Sequence, residues 1–179
     1  MNKIVYDCID RIYKKKDYIF FREKCKYVPI YCNSLIKTAK VVCSKVSVYN
    51  AEDLPSTEFW FYFNKYEEGS LHVEYKSLLR ISNIANLFVF QNEFSVKNND
   101  PNRLDPVLDG FNEQGYTTFQ YDLEEILSDF LIERGLKKLY LHEIDEVICD
   151  LKIPENGIFG TQVTVENLLF QDLYGICTD

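Results

Sequence analysis

Residues 58–97 constrain the fold of this chain more than any other stretch, because they form three consecutive strand-like segments. The first is a run of five aromatic residues, Phe59 to Phe63. The second alternates, and its apolar face carries Leu71, Val73, Tyr75, Leu79 and Ile81. The third places on a common side Phe88, Phe90, Phe94 and Val96. A period of two is typical of strands with one buried and one wet face, so an antiparallel hairpin or meander is predicted.

The flanking segments predict helices. Apolar residues recur at helical spacing over Lys3–Tyr13 and from Leu35 to about Val48, the second helix being capped near Asn33. Thr117 and Gln120 fit a capping box at the start of a third, clearer helix. Its apolar stripe comprises Phe119, Leu123, Ile126, Leu127, Phe130 and Leu131.

Shorter pieces complete the expected fold. Residues 18–21 are predicted to be extended or irregular, and Gln162–Val165 to form a final strand. The fold class expected is α+β, an antiparallel sheet of four to six strands with helices packed against it. We expect one domain over residues 1–179, with a possible junction between lobes near 97–110, where Asn, Asp and Pro cluster.

Length and composition favour a globular protein that is neither exported nor embedded in a membrane. The 179 residues are 46% hydrophobic and contain only 7 Gly and 5 Pro, enough for a real core and against long disorder. No apolar run is long enough to span a bilayer. The N-terminal residues lack the pattern of a signal peptide, so a cytoplasmic protein is expected. Its six cysteines are then expected to be reduced.

Charge is distributed unevenly along the chain. Residues 1–99 contain 15 Lys and Arg against 11 Asp and Glu, whereas residues 100–179 contain 5 against 17, a balance of −12. An acidic half repels phosphate backbones, so nucleic acid is not expected as a partner, and neither is a membrane. A basic protein partner is favoured instead.

One spacing suggests an enzyme. Glu74 and Lys76 lie on the same face of a predicted strand, the E-x-K arrangement in which a nuclease binds Mg²⁺ and steadies the attacking water. Such a site needs a further acidic residue, and Glu58 or Asp53 could supply it. A metal-dependent nuclease is therefore the alternative function, beside a regulatory or structural subunit. Exposed charges on a strand explain the same pattern, and we expect no catalytic residue.

Metal sites are not supported by spacing. The oxygen-rich loop carrying Asp100, Asn102, Asp105 and Asp109 lacks the frame of an EF-hand. His142 to Glu146 resembles the zinc-protease signature but ends in Glu where the second His is required. Neither a cofactor nor a metal is expected.

The acidic helix provides the candidate site. If its apolar stripe faces the sheet, Asp122, Glu125 and Asp129 form an outward ridge with Ile132 beside it. Three like charges within two turns repel one another, so folding does not favour them, whereas a cationic partner would. The alternative is a solvated helix face, because exposed runs of charge are usually only that. The partner-binding residues predicted are Asp122, Glu125, Asp129, Ile132, Glu143, Asp145 and Glu146.

The whole chain resembles the immunity proteins of bacterial polymorphic and contact-dependent toxin systems. The likeness comprises the meandering sheet from Phe59 to Val96, the acidic helix from Asp122 to Glu133, and the closing stretch Phe159–Phe170. The resemblance implies a non-catalytic protein that neutralises a toxin by binding it tightly. An acidic surface would suit a cationic toxin domain, because opposite charges speed association.

Overall fold

The computed structural model describes residues 2–50, 54–102, 108–151 and 162–177. Its helices are α1 (Lys3–Ile9, continued by a π-helical turn, Asp10–Lys14), α2 (Tyr18–Cys25), α3 (Cys32–Ala39), α4 (Thr118–Ile132), α5 (Leu141–Ile144) and α6 (Val165–Leu169). Its strands are β1 (Lys45–Tyr49), β2 (Ser56–Tyr62), β3 (Tyr66–Glu68), β4 (Leu71–Ser82), β5 (Leu87–Asn98), β6 (Leu108–Asn112) and β7 (Lys137–Leu139). No helix in these ranges is both long and apolar enough to cross a membrane.

The strands form one seven-stranded sheet in the order β1-β2-β4-β5-β6. The short strand β3 pairs with β4, and β7 pairs with β5. Every pairing is antiparallel except that of β5 with β7. The predicted α+β class and the antiparallel sheet are confirmed.

Helices cover both faces of this sheet. The face that we call the front carries the predicted apolar side chains of β2, β4 and β5, and packs on α3 and α4 through Phe59, Phe61, Leu79, Ile81, Phe88, Phe90, Leu35, Leu123, Leu127 and Leu131. The opposite face, the back, packs at the Val89 end of β5 against α1, α2 and α6. Two hydrophobic cores therefore flank the sheet, one on each face.

The back face is less wet than the alternation of β4 predicts. Arg80 is only 6% exposed, because its guanidinium pairs with Glu166 on α6. Two serine hydroxyls at the same end donate to backbone carbonyls at the end of α6, Ser56 to Phe170 over 2.8 Å and Ser82 to Leu169 over 2.9 Å. The polar positions of β2 and β4 therefore hold the C-terminal helix.

Three local predictions are wrong. Residues 18–21 are helical, because the Asp17 side chain caps α2 by accepting a hydrogen bond from Phe20 N. The helix predicted to reach Val48 ends at Ala39, and β-branched, alternating Lys45–Tyr49 pairs with β2 as the edge strand β1. Of the predicted strand Gln162–Val165, only Thr164 makes a bridge, and its side chain caps α6.

The prediction of six free thiols is also wrong. Cys25 on α2 is joined by a disulfide to Cys177 in the C-terminal segment, 152 positions away in the sequence. Four cysteines remain free, namely Cys8, Cys32, Cys43 and Cys149. The pairing arises because α2 and the segment after α6 pack in the same core, where Arg22 Nε also donates to the Ile176 carbonyl over 2.9 Å.

Candidate functional site

Helix α4 begins where the sequence predicts. The Thr117 side chain accepts a hydrogen bond from Gln120 N over 3.2 Å. The second hydrogen bond of the predicted capping box, from Thr117 N to the Gln120 side chain, is not formed. The side-chain oxygen of Gln120 accepts from Tyr116 N, and its amide donates to the carbonyls of Lys76 and Glu93 on the sheet. Gln120 is fully buried, so the start of α4 is fastened to β4 and β5 by hydrogen bonds as well as by packing.

The buried stripe of α4 is narrower than predicted. Leu123, Leu127 and Leu131 are completely buried against the front face. Phe119 and Ile126, also predicted to face the sheet, are 59% and 39% exposed. The reason is geometric: a stripe through Gln120, Leu123, Leu127 and Leu131 leaves both on the flank nearest α3.

A groove lies along the opposite flank of α4. Strands β6 and β7 pair with the same edge of β5, and their carboxyl ends approach each other at Asn112 and Leu139. Their partners on β5, Asn92 and Val89, are three residues apart, about 10 Å along the strand. The residues that follow the two strand ends, Glu113 to Gly115 and Tyr140, line a crevice between them.

This groove, which we call the α4 groove, has a volume of about 630 Å³. Its walls come from α4, from the segment between β6 and α4, and from the residues around the end of β7. They comprise Glu113, Gln114, Gly115, Tyr121, Glu124, Glu125, Ser128, Asp129, Lys138 and Tyr140. Among the described residues, four carboxylates, two exposed tyrosines and one lysine thus border this cavity.

Two of those carboxylates serve the fold. Glu124 binds the Lys138 ammonium over 2.5 Å and accepts from Asn92 Nδ2 over 2.9 Å. Asn92 is itself buried on β5, accepts the Ser77 hydroxyl over 2.6 Å and donates to the Glu113 carbonyl over 2.9 Å. The Glu113 carboxylate accepts the backbone N–H at the start of α5. This network fixes the floor of the groove and engages both carboxylate oxygens of Glu124 and one of Glu113.

The other two carboxylates are available. Glu125 and Asp129 are exposed and one helical turn apart, so their side chains are neighbours on the surface of α4. Within the part of the chain that the structure describes, neither carboxylate has a hydrogen-bond or ion-pair partner. A ligand with positive charge would therefore meet two uncompensated negative charges here.

The predicted partner-binding residues lie in two regions, one on α4 and one around α5. Glu125 and Asp129 line the α4 groove, whereas Asp122 and Ile132 are exposed on α4 outside it. Glu143 and Glu146 border a different depression that also contains Lys3 and Lys137.

In that second depression the acidic charge is partly offset. Glu143 accepts a hydrogen bond from Tyr140 N over 3.0 Å and so caps α5, and the two lysines lie in the same wall. Asp145, the last of the predicted residues, is exposed just beyond α5. The structure therefore does not bring these residues together with Glu125 and Asp129.

The E-x-K residues are engaged separately. Lys65 Nζ is 2.5 Å from the Glu74 carboxylate, and this hydrogen bond lowers the pKa of Glu74. Lys76 binds Glu93 over 2.8 Å and lies 4.7 Å from the centre of the Trp60 ring. Glu58 pairs with Arg80, six positions from Glu74, or about 20 Å along β4. The structure therefore does not join the two glutamates, and Asp53 lies outside the described residues.

The oxygen-rich segment after β5 has an ordinary turn structure. Asp100 N donates to the Asn98 side chain, and the Asp100 side chain accepts from Asn102 N, each over 2.9 Å. Asp109 belongs to β6, and Asp105 lies outside the described residues. In the described ranges, no three His, Cys, Asp or Glu side chains are grouped so that they could hold a metal ion.

Sequence reasoning missed Glu113, Glu124 and Tyr140. One signal was present: Glu124 lies next to the Leu123–Leu127 stripe, and a charge so close to a buried stripe needs a partner. Glu113 and Tyr140 follow strands too short to recognise from their pattern.

Comparison of the chain with models of protein families, with curated proteins and with solved structures gives no match. Inference about function therefore depends on the geometry and charge of the α4 groove.

Proposed function

We propose that this chain is a non-catalytic immunity protein that neutralises a bacterial toxin by binding it directly. The partner is a cationic toxin domain, and the α4 groove receives a lysine or arginine side chain from it. The observation that carries the proposal is the pair of unpartnered carboxylates, Glu125 and Asp129, on the wall of a groove that already has a rigid floor.

The chemistry of the groove suits such a side chain. Two carboxylates at adjacent turns can accept several N–H groups of one guanidinium, and charge-assisted hydrogen bonds are the strong ones. Tyr121, exposed on the groove wall, offers an aromatic face to the same cation, whereas the Tyr140 ring stacks on His142 and lies 5.3 Å from the Lys138 ammonium. Arginine and tyrosine are also the residues that most often dominate binding at interfaces.

The net charge around the α4 groove also favours a cationic partner. The balance of −12 over residues 100–179 attracts a basic protein over distances of about a Debye length. Ile132, exposed on α4, can supply the apolar contact that interfaces need in addition to charge.

The test begins with the neighbouring gene, which the proposal expects to encode a large exported protein; the C-terminal domain of that protein is then used in a binding measurement. Charge reversal by Glu125→Lys with Asp129→Lys should slow association at least about tenfold and weaken its dependence on salt. The matched control is Asp7→Lys with Glu23→Lys, which makes the same change in net charge on exposed residues of α1 and α2. If both double variants slow association equally, the effect comes from net charge and not from the α4 groove. If Glu125→Lys with Asp129→Lys leaves the association rate unchanged, the groove is not part of the interface.

A further inference from the structure

The outer edge of the sheet at β6 is open. In the described part of the chain, the strand order ends at β6, and no strand pairs with its far side. The side chains of Leu108 and Phe111 on this strand are also largely exposed, at 62% and 64%. Edge strands are usually protected by lysine, proline or a bulge, and the sequence of β6, Leu-Asp-Gly-Phe-Asn, contains neither lysine nor proline.

The hydrogen-bond ladder shows which β6 groups point outward. Asn99 N donates to Ser70 O, which continues the register in which Leu71 pairs with Asn98. Alternate residues of an antiparallel strand bond to opposite sides, so the odd-numbered residues of β5 bond to β4 and the even-numbered ones to β6. Their partners on β6 are residues 108, 110 and 112. The N–H and C=O groups of Asp109 and Phe111 are therefore directed away from the sheet.

This free edge continues directly into the α4 groove. Glu113, Gln114 and Gly115, which follow β6 without interruption, form one wall of the groove. An extended segment paired with β6 would therefore leave the edge beside the unpartnered carboxylates of Glu125 and Asp129. The opposite edge, β1, offers no such continuity: it begins with Lys45 and lies in the half of the chain with a balance of +4.

Charge also selects the occupant of the edge. A second copy of this chain would bring another Asp109 and a further net charge of −8 to the same edge, and like charges disfavour that pairing. A strand carrying lysine or arginine would instead be attracted to Asp109, Glu125 and Asp129.

We propose that β6 is a docking strand, to which a lysine- or arginine-bearing extended segment of the protein partner adds as a further strand of the sheet. The inference rests on the proposed function, because the partner is the same cationic toxin domain. Backbone hydrogen bonds to Asp109 and Phe111 supply the pairing, and the exposed side chains of Leu108 and Phe111 supply apolar contact.

The test is amide hydrogen exchange of the full chain, free and in complex with the cationic toxin domain used in the binding measurement above. The amides of Asp109 and Phe111 should exchange quickly in the free protein and become at least about tenfold slower in the complex. A complex in which these two amides stay unprotected would overturn strand addition and leave the proposed function standing. Absence of any complex would overturn both.

A pair of variants isolates the backbone contribution. Phe111→Thr removes the aromatic ring but keeps the N–H, whereas Phe111→Pro also removes the outward N–H and none of the bonds to β5. Proline should weaken binding about tenfold more than threonine does. Equal binding by the two variants, with the melting temperatures of both near that of the unchanged chain, would refute the pairing. If the proline variant does not fold, the exchange measurement decides alone.

Discussion

Replacing Asn92 tests whether the floor of the α4 groove is also a structural support of the sheet. Asn92 is fully buried on β5 and makes three side-chain hydrogen bonds. It accepts from the Ser77 hydroxyl, donates to the Glu113 carbonyl and donates to the Glu124 carboxylate. We expect Asn92→Ala to remove all three.

The magnitude follows from those bonds. A neutral hydrogen bond contributes about 0.5–1.5 kcal/mol, and one to a charged group about 1.5–3 kcal/mol. Two of the first kind and one of the second give a range of about 2.5–6 kcal/mol. Because the Ser77 hydroxyl can rotate towards another acceptor, we expect a loss of about 3–5 kcal/mol in the free energy of unfolding.

The measurement is urea denaturation followed by circular dichroism, with the slope m compared between variants. Ser77→Ala is the matched control, because it removes only the Ser77–Asn92 bond and should cost about 1 kcal/mol. Asn92→Asp should be strongly destabilising at pH 7, where it places a carboxylate beside Glu124, and less so at pH 4. A loss below about 1 kcal/mol for Asn92→Ala would refute the network as a support of the fold.

Three further predictions concern other parts of the molecule. Thiol titration of protein purified without reductant should find four free thiols, and six would contradict the pairing. The Cys25–Cys177 disulfide closes a loop of 152 positions, so its reduction should lower the free energy of unfolding by about 2–5 kcal/mol. Burial raises the pKa of Tyr31 to about 12, so above pH 10 this tyrosine ionises in the unfolded chain before it does in the folded one, and the free energy of unfolding should fall between pH 10 and 12. Tyr31→Phe should lessen that fall, and the same alkaline profile in the variant would contradict the contribution of Tyr31. Glu74→Ala should change stability by less than about 0.5 kcal/mol, since its partner Lys65 is exposed; Mg²⁺-dependent DNA cleavage that is lost in Glu74→Ala or Lys76→Ala would instead establish the nuclease alternative.

The elements with long, regular patterns could be predicted from the sequence. The alternation in β4 and β5 extends over more than ten residues and can be satisfied only by a strand with two different faces. Thr117 and Gly135 mark the ends of α4 for chemical reasons, a side-chain cap and a backbone with φ of +79°.

The elements that were missed depend on distant partners. Lys45–Tyr49 is compatible with either a helix end or a strand, and pairing with β2 decides for the strand. β6 and β7 have five and three residues, too few for a pattern, and they exist because β5 offers them a free edge. Since the α4 groove lies between the ends of these two strands, its position could not be predicted either. Only the carboxylates on α4 could.

Glu124 and Glu125 are consecutive, yet the fold uses them in opposite ways. Glu124 lies beside the buried stripe, where an unpaired charge would be costly, and both of its oxygens have partners in Lys138 and Asn92. Glu125 lies about 100° further round the helix, next to Asp129 in one helical turn. The carboxylates of Glu125 and Asp129 repel each other weakly and make no contact among the described residues that stabilises the folded chain, so a chain with a neutral residue at either position would be as stable. Stability therefore accounts for the first carboxylate and not for the second, which is why we propose that Glu125 and Asp129 bind a partner.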